Sequence, residues 1–117
     1  MKKKTIDANA DCASNHDPDV LLRFHQALGM ISGKWTAEIL YNLNSGTLRF
    51  GELRKAIPSI TQHMLTSRLR ELESRGLVER TVFAEVPPRV EYALTSAARD
   101  LRPVFSELLR WAKDHWF

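Results

Sequence analysis

The chain is poor in cysteine. Its 117 residues include one, Cys12, so no internal disulfide can form and this side chain alone cannot assemble a thiolate metal site. Cys12 and His16 stand four apart, but two ligands in a polar, aperiodic segment make a poor site, and no metal is expected. Long apolar runs are missing too: nothing approaches the roughly 20 apolar residues of a membrane span, so no membrane partner is expected. Lys2, Lys3 and Lys4 resemble the start of an export signal, but the Thr5–Pro18 stretch behind them is polar and acidic. The cytoplasm is therefore the expected location. Gly-rich phosphate loops, GxSxG elbows and HExxH helices are all absent, which argues against an enzyme and a bound cofactor.

Hydrophobic residues make up 44% and charged residues 26% of the chain, which excludes wholesale disorder and suits one globular domain. The net charge of +3 is a weak signal by itself, but its placement is informative. Residues 1–33 and 90–117 each hold four basic and four acidic side chains, whereas 34–89 holds nine basic against six acidic. Between Glu52 and Glu71 there is no carboxylate, while Arg54, Lys55, Arg68 and Arg70 all lie there. A polyanion fits that stretch.

Residues 1–17 lack periodicity and read as a flexible arm ahead of a single domain over 18–117. From the cap Asp17 and Pro18, Val20, Leu21, Phe24, Ala27, Leu28 and Ile31 recur at helical spacing, predicting a helix over about 18–32. A second helix is expected over 34–44, with Trp35, Ile39, Leu40 and Leu43 on one face, and a short strand at 47–49. A third helix at 50–57 shares Phe50, Leu53 and Ile57 and stops at Pro58. Thr61 caps a fourth helix over 61–75, whose apolar face is Met64, Leu65, Leu69 and Leu72 and which Gly76 closes.

Winding that helix at about 100° per residue puts His63, Thr66, Ser67, Arg70 and Ser74 on the opposite face, with Gln62 at its edge. Alternation in 77–84 and 90–94 predicts a hairpin whose tip, Glu85-Val86-Pro87-Pro88-Arg89, presents Arg89 on a stiff turn within a wing at 84–90. A last helix over about 96–116, with Pro103 near its start, carries Leu101, Val104, Phe105, Leu108, Leu109, Trp111, Ala112 and Trp116. That stripe is wider than so small a domain can cover, which points to an interface. Trp35, Phe50 and Phe83 are expected in the core.

This order of elements predicts a mainly α, α+β winged helix-turn-helix. In such folds the major groove admits one helix, whose N-terminal side chains meet base edges. Thr61, Gln62, His63, Thr66, Ser67, Arg68 and Arg70 are the candidate DNA contacts on the fourth helix, with Arg89 on the wing and Lys34 and Arg49 as further phosphate contacts. For Arg68, an internal salt bridge with Glu38 or Glu71 competes equally with phosphate.

Four pieces of the chain, GKWT at 33–36, LRFGELRKAIPSIT at 48–61, LTSRLRELESRGLVER at 65–80 and EVPPRVEYALT at 85–95, together resemble the HxlR family of bacterial winged-helix regulators, related to the MarR type. The resemblance implies a DNA-binding transcriptional regulator, and a repressor is expected. It also implies a homodimer on near-palindromic operator DNA, joined through the first and last helices. Leu21, Phe24, Leu28, Phe105, Leu108, Leu109, Trp111, Ala112 and Trp116 would then line the dimer interface. The signal, a small molecule or an oxidant, is not specified.

Family members often carry a cysteine about thirteen residues before the tryptophan of GKW, and in several it senses electrophiles or oxidants. Here that position is Leu22. A thiol switch through Cys12 is thus an alternative, which the DNA binding of wild type and Cys12→Ser under diamide decides. A winged-helix module that binds protein is the other. Its docking face should be apolar or acidic, and a stable heterologous complex without DNA retardation would favour it.

Overall fold

The computed structural model describes residues 17–116. The described residues divide into two units, one ending at Ser32 and one beginning at Gly33. In the first, helix α1 spans Pro18–Ile31. The Asp17 carboxylate accepts from the Asp19 amide at 2.9 Å, and Pro18 sits in the first turn, where its missing N–H costs nothing. None of its residues is buried, and Leu21, Phe24 and Leu28 are exposed, Phe24 by 60%.

The second unit opens on a turn. Gly33 and Trp35 adopt φ of +110° and +76°, so α2 begins only at Thr36 and spans Thr36–Leu43, two residues shorter at its start than expected. A tryptophan in the left-handed region is costly, and tertiary bonds must hold it there. Arg68 supplies one: its Nε donates to the Lys34 carbonyl at 3.1 Å.

Strand β1 (Leu48–Arg49) leads into α3 (Phe50–Ala56), where the Arg49 amide donates to Glu52 Oε1 at 2.7 Å. Helix α4 (Gln62–Ser74) starts where the Thr61 hydroxyl accepts from the Met64 amide at 3.1 Å. It ends in a Schellman turn: Gly76, at φ +78°, donates to the Glu73 carbonyl and Leu77 to that of Leu72.

Strands β2 (Val78–Phe83) and β3 (Arg89–Leu94) form the wing, and β1 adds to β3, giving an antiparallel sheet in the order β1-β3-β2. The register runs from Val78 opposite Leu94 to Phe83 opposite Arg89, with Leu48 opposite Tyr92 and Arg49 opposite Glu91. Ile39, Leu53, Leu65, Leu69 and Leu72 are fully buried, with Ile57, Ile60, Leu77, Val78 and Leu94 around them. This core fixes α4 by its apolar face and leaves the other face outward. Trp35, Phe50 and Phe83, expected in the core, are only half-buried.

The expected single terminal helix is two. Helix α5 (Ser96–Arg99) is separated by Asp100 and Leu101 from α6 (Arg102–Trp116). Pro103 has no N–H for the Arg99 carbonyl and its ring would crowd that carbonyl, so the helix restarts rather than bending. Arg102 bonds the Asn44 side chain and ties the start of α6 to the end of α2. No α6 residue is buried: Leu108, Leu109, Trp111 and Trp116 are exposed, and Phe105 and Ala112 half-buried. On its polar side the Arg110 guanidinium bonds Glu107 at 2.6 Å and holds that carboxyl below its ordinary value through this hydrogen bond and its charge. Among the described residues, no helix is long and apolar enough to cross a membrane.

Candidate nucleic-acid interface

Helix α4 places its chemistry by simple periodicity. With Leu65, Leu69 and Leu72 turned into the core, Gln62, His63 and Arg70 are exposed and Thr66 and Ser67 half-buried on the other side. Among the described residues none of these five side chains has a hydrogen-bond or ion-pair partner, so their donors and acceptors are available to another molecule. Thr61 differs: its hydroxyl oxygen is already used at the helix start.

Two grooves flank this face. One, of about 520 Å³, is lined by Phe50, Gly51, Arg54, Lys55 and Gln62. The other, of about 270 Å³, lies between α4 and the wing and is lined by Thr66, Leu69, Arg70, Glu73, Arg80 and Tyr92. Arg54, Lys55, Arg70 and Arg80 are exposed and form no ion pair among the described residues. Sequence reasoning missed Arg80 as a candidate. It follows Glu79 in a strand whose alternation does not mark it, and only the packing of β2 against α4 brings it beside Arg70.

Two expected contacts are otherwise engaged. Arg68 pairs with Glu71 at 3.0 Å and bonds the Lys34 carbonyl, so of the two alternatives the internal bridge is formed, with Glu71 and not Glu38. Arg89 is not held out at the wing tip. It is the first residue of β3, with Nη2 3.1 Å from Glu85 Oε2, Nε 3.5 Å from Glu91 Oε2, and its guanidinium 4.0 Å from the Phe83 ring centroid. The Phe83–Arg89 register and the tip that folds Glu85 back cause this. Lys34 lies over the Trp35 ring at 5.3 Å, and Arg49 is exposed opposite Glu91.

The family model described as HxlR-like helix-turn-helix matches residues 30–116. The chain belongs to that family. An uncharacterized HTH-type transcriptional regulator of Methanothermobacter thermautotrophicus is 47% identical over 97 residues, covering 83% of this chain and 74% of the relative. Among solved structures, the redox regulator HypR in its reduced form superposes with a TM-score of 0.75 at 43% identity, covering 79% of this chain and 91% of that one. The reduced form of the transcriptional regulator YodB from B. subtilis gives 0.74 at 37% identity, covering 80% and 92%.

This HxlR-like chain is therefore a transcriptional regulator with a winged helix-turn-helix, and the family implies that DNA is its partner. Its α4 corresponds in order and setting to the helix that enters the major groove in such folds. Cys12, the candidate thiol switch, lies outside the described residues. Among the described residues, no group of three or more His, Cys, Asp or Glu side chains could hold a metal ion.

Proposed function

We propose that the protein is a homodimeric, sequence-specific repressor that binds near-palindromic operator DNA. The observation that carries this reading is the outward face of α4, where unengaged Gln62, His63, Thr66 and Ser67 stand between two groups of unpaired cations. In it, α4 lies in the major groove with Gln62 and His63 on base edges, and Arg54, Lys55, Arg70 and Arg80 neutralise phosphates on either side. Thr61, Lys34, Arg49 and Arg89 add backbone or groove contacts, whereas Arg68 acts through the turn it holds. The apolar faces of α1 and α6 support a second copy, since both are uncovered and rich in large side chains. A two-fold assembly would set two α4 helices on half-sites about 34 Å apart.

Binding of the full chain to the DNA upstream of its own gene, in competition with random duplex over a salt series, tests this together with sedimentation equilibrium. The expected result is a two-chain species that prefers the upstream DNA by at least 10³-fold, on the order of a specific regulator. Transcription from that DNA in vitro should fall as the protein is added. Equal affinity for random duplex, or a monomer at every concentration that binds DNA, would contradict the reading.

A further inference from the structure

The wing arginine is surrounded by its own acids. Glu85 reaches back from the tip to Arg89 Nη2 at 3.1 Å, and Glu91, on the same strand, lies 3.5 Å from Nε. Both are ion pairs and neither has hydrogen-bond geometry, and Nε is buried with no acceptor in position. The guanidinium plane is meanwhile fixed against Phe83, which leaves the side chain 28% exposed. Arg49, Phe50 and Gly51 face this tip across a groove of about 420 Å³.

Charge decides what this arrangement does. Two carboxylates share the Arg89 guanidinium, and with Arg49 opposite Glu91 the cluster is balanced in charge, so Arg89 offers no free positive charge at the edge that would approach phosphates. The two acids are not equivalent. Glu91 is 25% exposed and faces Arg49 in register, whereas Glu85 is 50% exposed and has no other side-chain partner among the described residues. An ion pair as open as Glu85–Arg89 is weak, and a phosphate can exchange with it.

We propose that Glu85 is a positioning residue that occupies the Arg89 guanidinium as a latch, so that Arg89 engages DNA only when a phosphate displaces this carboxylate. Phe83 keeps the guanidinium in place during the exchange, and Glu85 sets how much non-specific affinity the wing contributes. This rests on the DNA-binding reading above.

The test uses the full chain, a random-sequence duplex of about 20 base pairs, and the variants Glu85→Gln, Glu79→Gln, Arg89→Ala and Glu85→Gln/Arg89→Ala. Glu79 is an exposed wing carboxylate away from Arg89 and controls for general charge. Glu85→Gln should bind about tenfold tighter at 0.1 M salt and steepen the plot of log affinity against log salt by about 0.9, one added phosphate contact. Glu79→Gln should bind clearly less tightly than Glu85→Gln, and Arg89→Ala should abolish most of the Glu85→Gln gain. Equal gains in the two glutamine variants, or no gain in Glu85→Gln, overturn the latch. In the free protein, the Arg89 Nε–H NMR signal should show faster guanidinium rotation in Glu85→Gln than in wild type. An unchanged signal also overturns the latch, whether or not wild type binds duplex, while failure of wild type to bind any duplex counts against the DNA reading separately.

Discussion

Leu65→Ala is expected to destabilise the 33–117 unit by about 3 kcal/mol, a drop in Tm on the order of 15 °C. Leu65 is fully buried on the core face of α4, so truncation removes apolar contacts and leaves a cavity that the rest of the core can only partly close. A loss of that size is a large part of the roughly 5–15 kcal/mol that holds a domain together. It acts on function through α4 itself, because the outward face is aligned only while the inward face is packed. Leu108→Ala is the matched comparison: its side chain is 59% exposed on α6, so within one chain there is little packing to lose. Chemical denaturation of both variants, read by circular dichroism at concentrations where the chain is monomeric, checks this. A Leu65→Ala loss no larger than that of Leu108→Ala would mean that α4 is not seated as described.

Replacing Arg54, Lys55, Arg70 and Arg80 together with glutamine should weaken duplex binding by on the order of 10²–10³-fold at 0.1 M salt and lower the salt slope by about 3 to 4. The four are exposed and without acid partners among the described residues, so their charge is available to phosphates and little stability depends on them. The same number of charges removed at Arg99, Arg102, Arg110 and Lys113 should change the slope far less. Arg99 bonds the Leu94 carbonyl, Arg102 bonds Asn44 and Arg110 bonds Glu107, and all four lie on α5 and α6, away from the face of α4. Fluorescence anisotropy on one duplex over a salt series measures both. Equal slopes for the two quadruple variants would show that binding follows net charge and not this face.

Local chemistry explains what was legible in the sequence. The Thr61 cap, the Gly76 turn and the 3.6-residue spacing of leucines are all set within a few residues, and α4 came out within one residue of its expected ends. The hairpin was equally readable, since alternation and a proline-rich tip determine it without distant partners. Features that depend on approach in space were not. Arg68 reaches a carbonyl 34 positions away, and Arg80 meets Arg70 only because β2 packs on α4. For Arg89, the double proline suggested a presented side chain, but the strand register carries its guanidinium onto Phe83 and between two glutamates. Trp35 was misread because a helical periodicity cannot reveal that its φ is positive. The break before α6 was written in Pro103, yet the apolar stripe ran through it and hid the interruption.

The central claim is that the N-terminal part of α4 reads bases in the major groove, and guanine-N7 methylation interference on the protected upstream DNA tests it most directly. N7 faces the major groove, so methylation there should abolish binding at guanines within each half-site, and Gln62→Ala or His63→Ala should relieve the interference at individual positions. Full binding to DNA methylated at every protected guanine, with interference only from minor-groove adenine methylation, would contradict it.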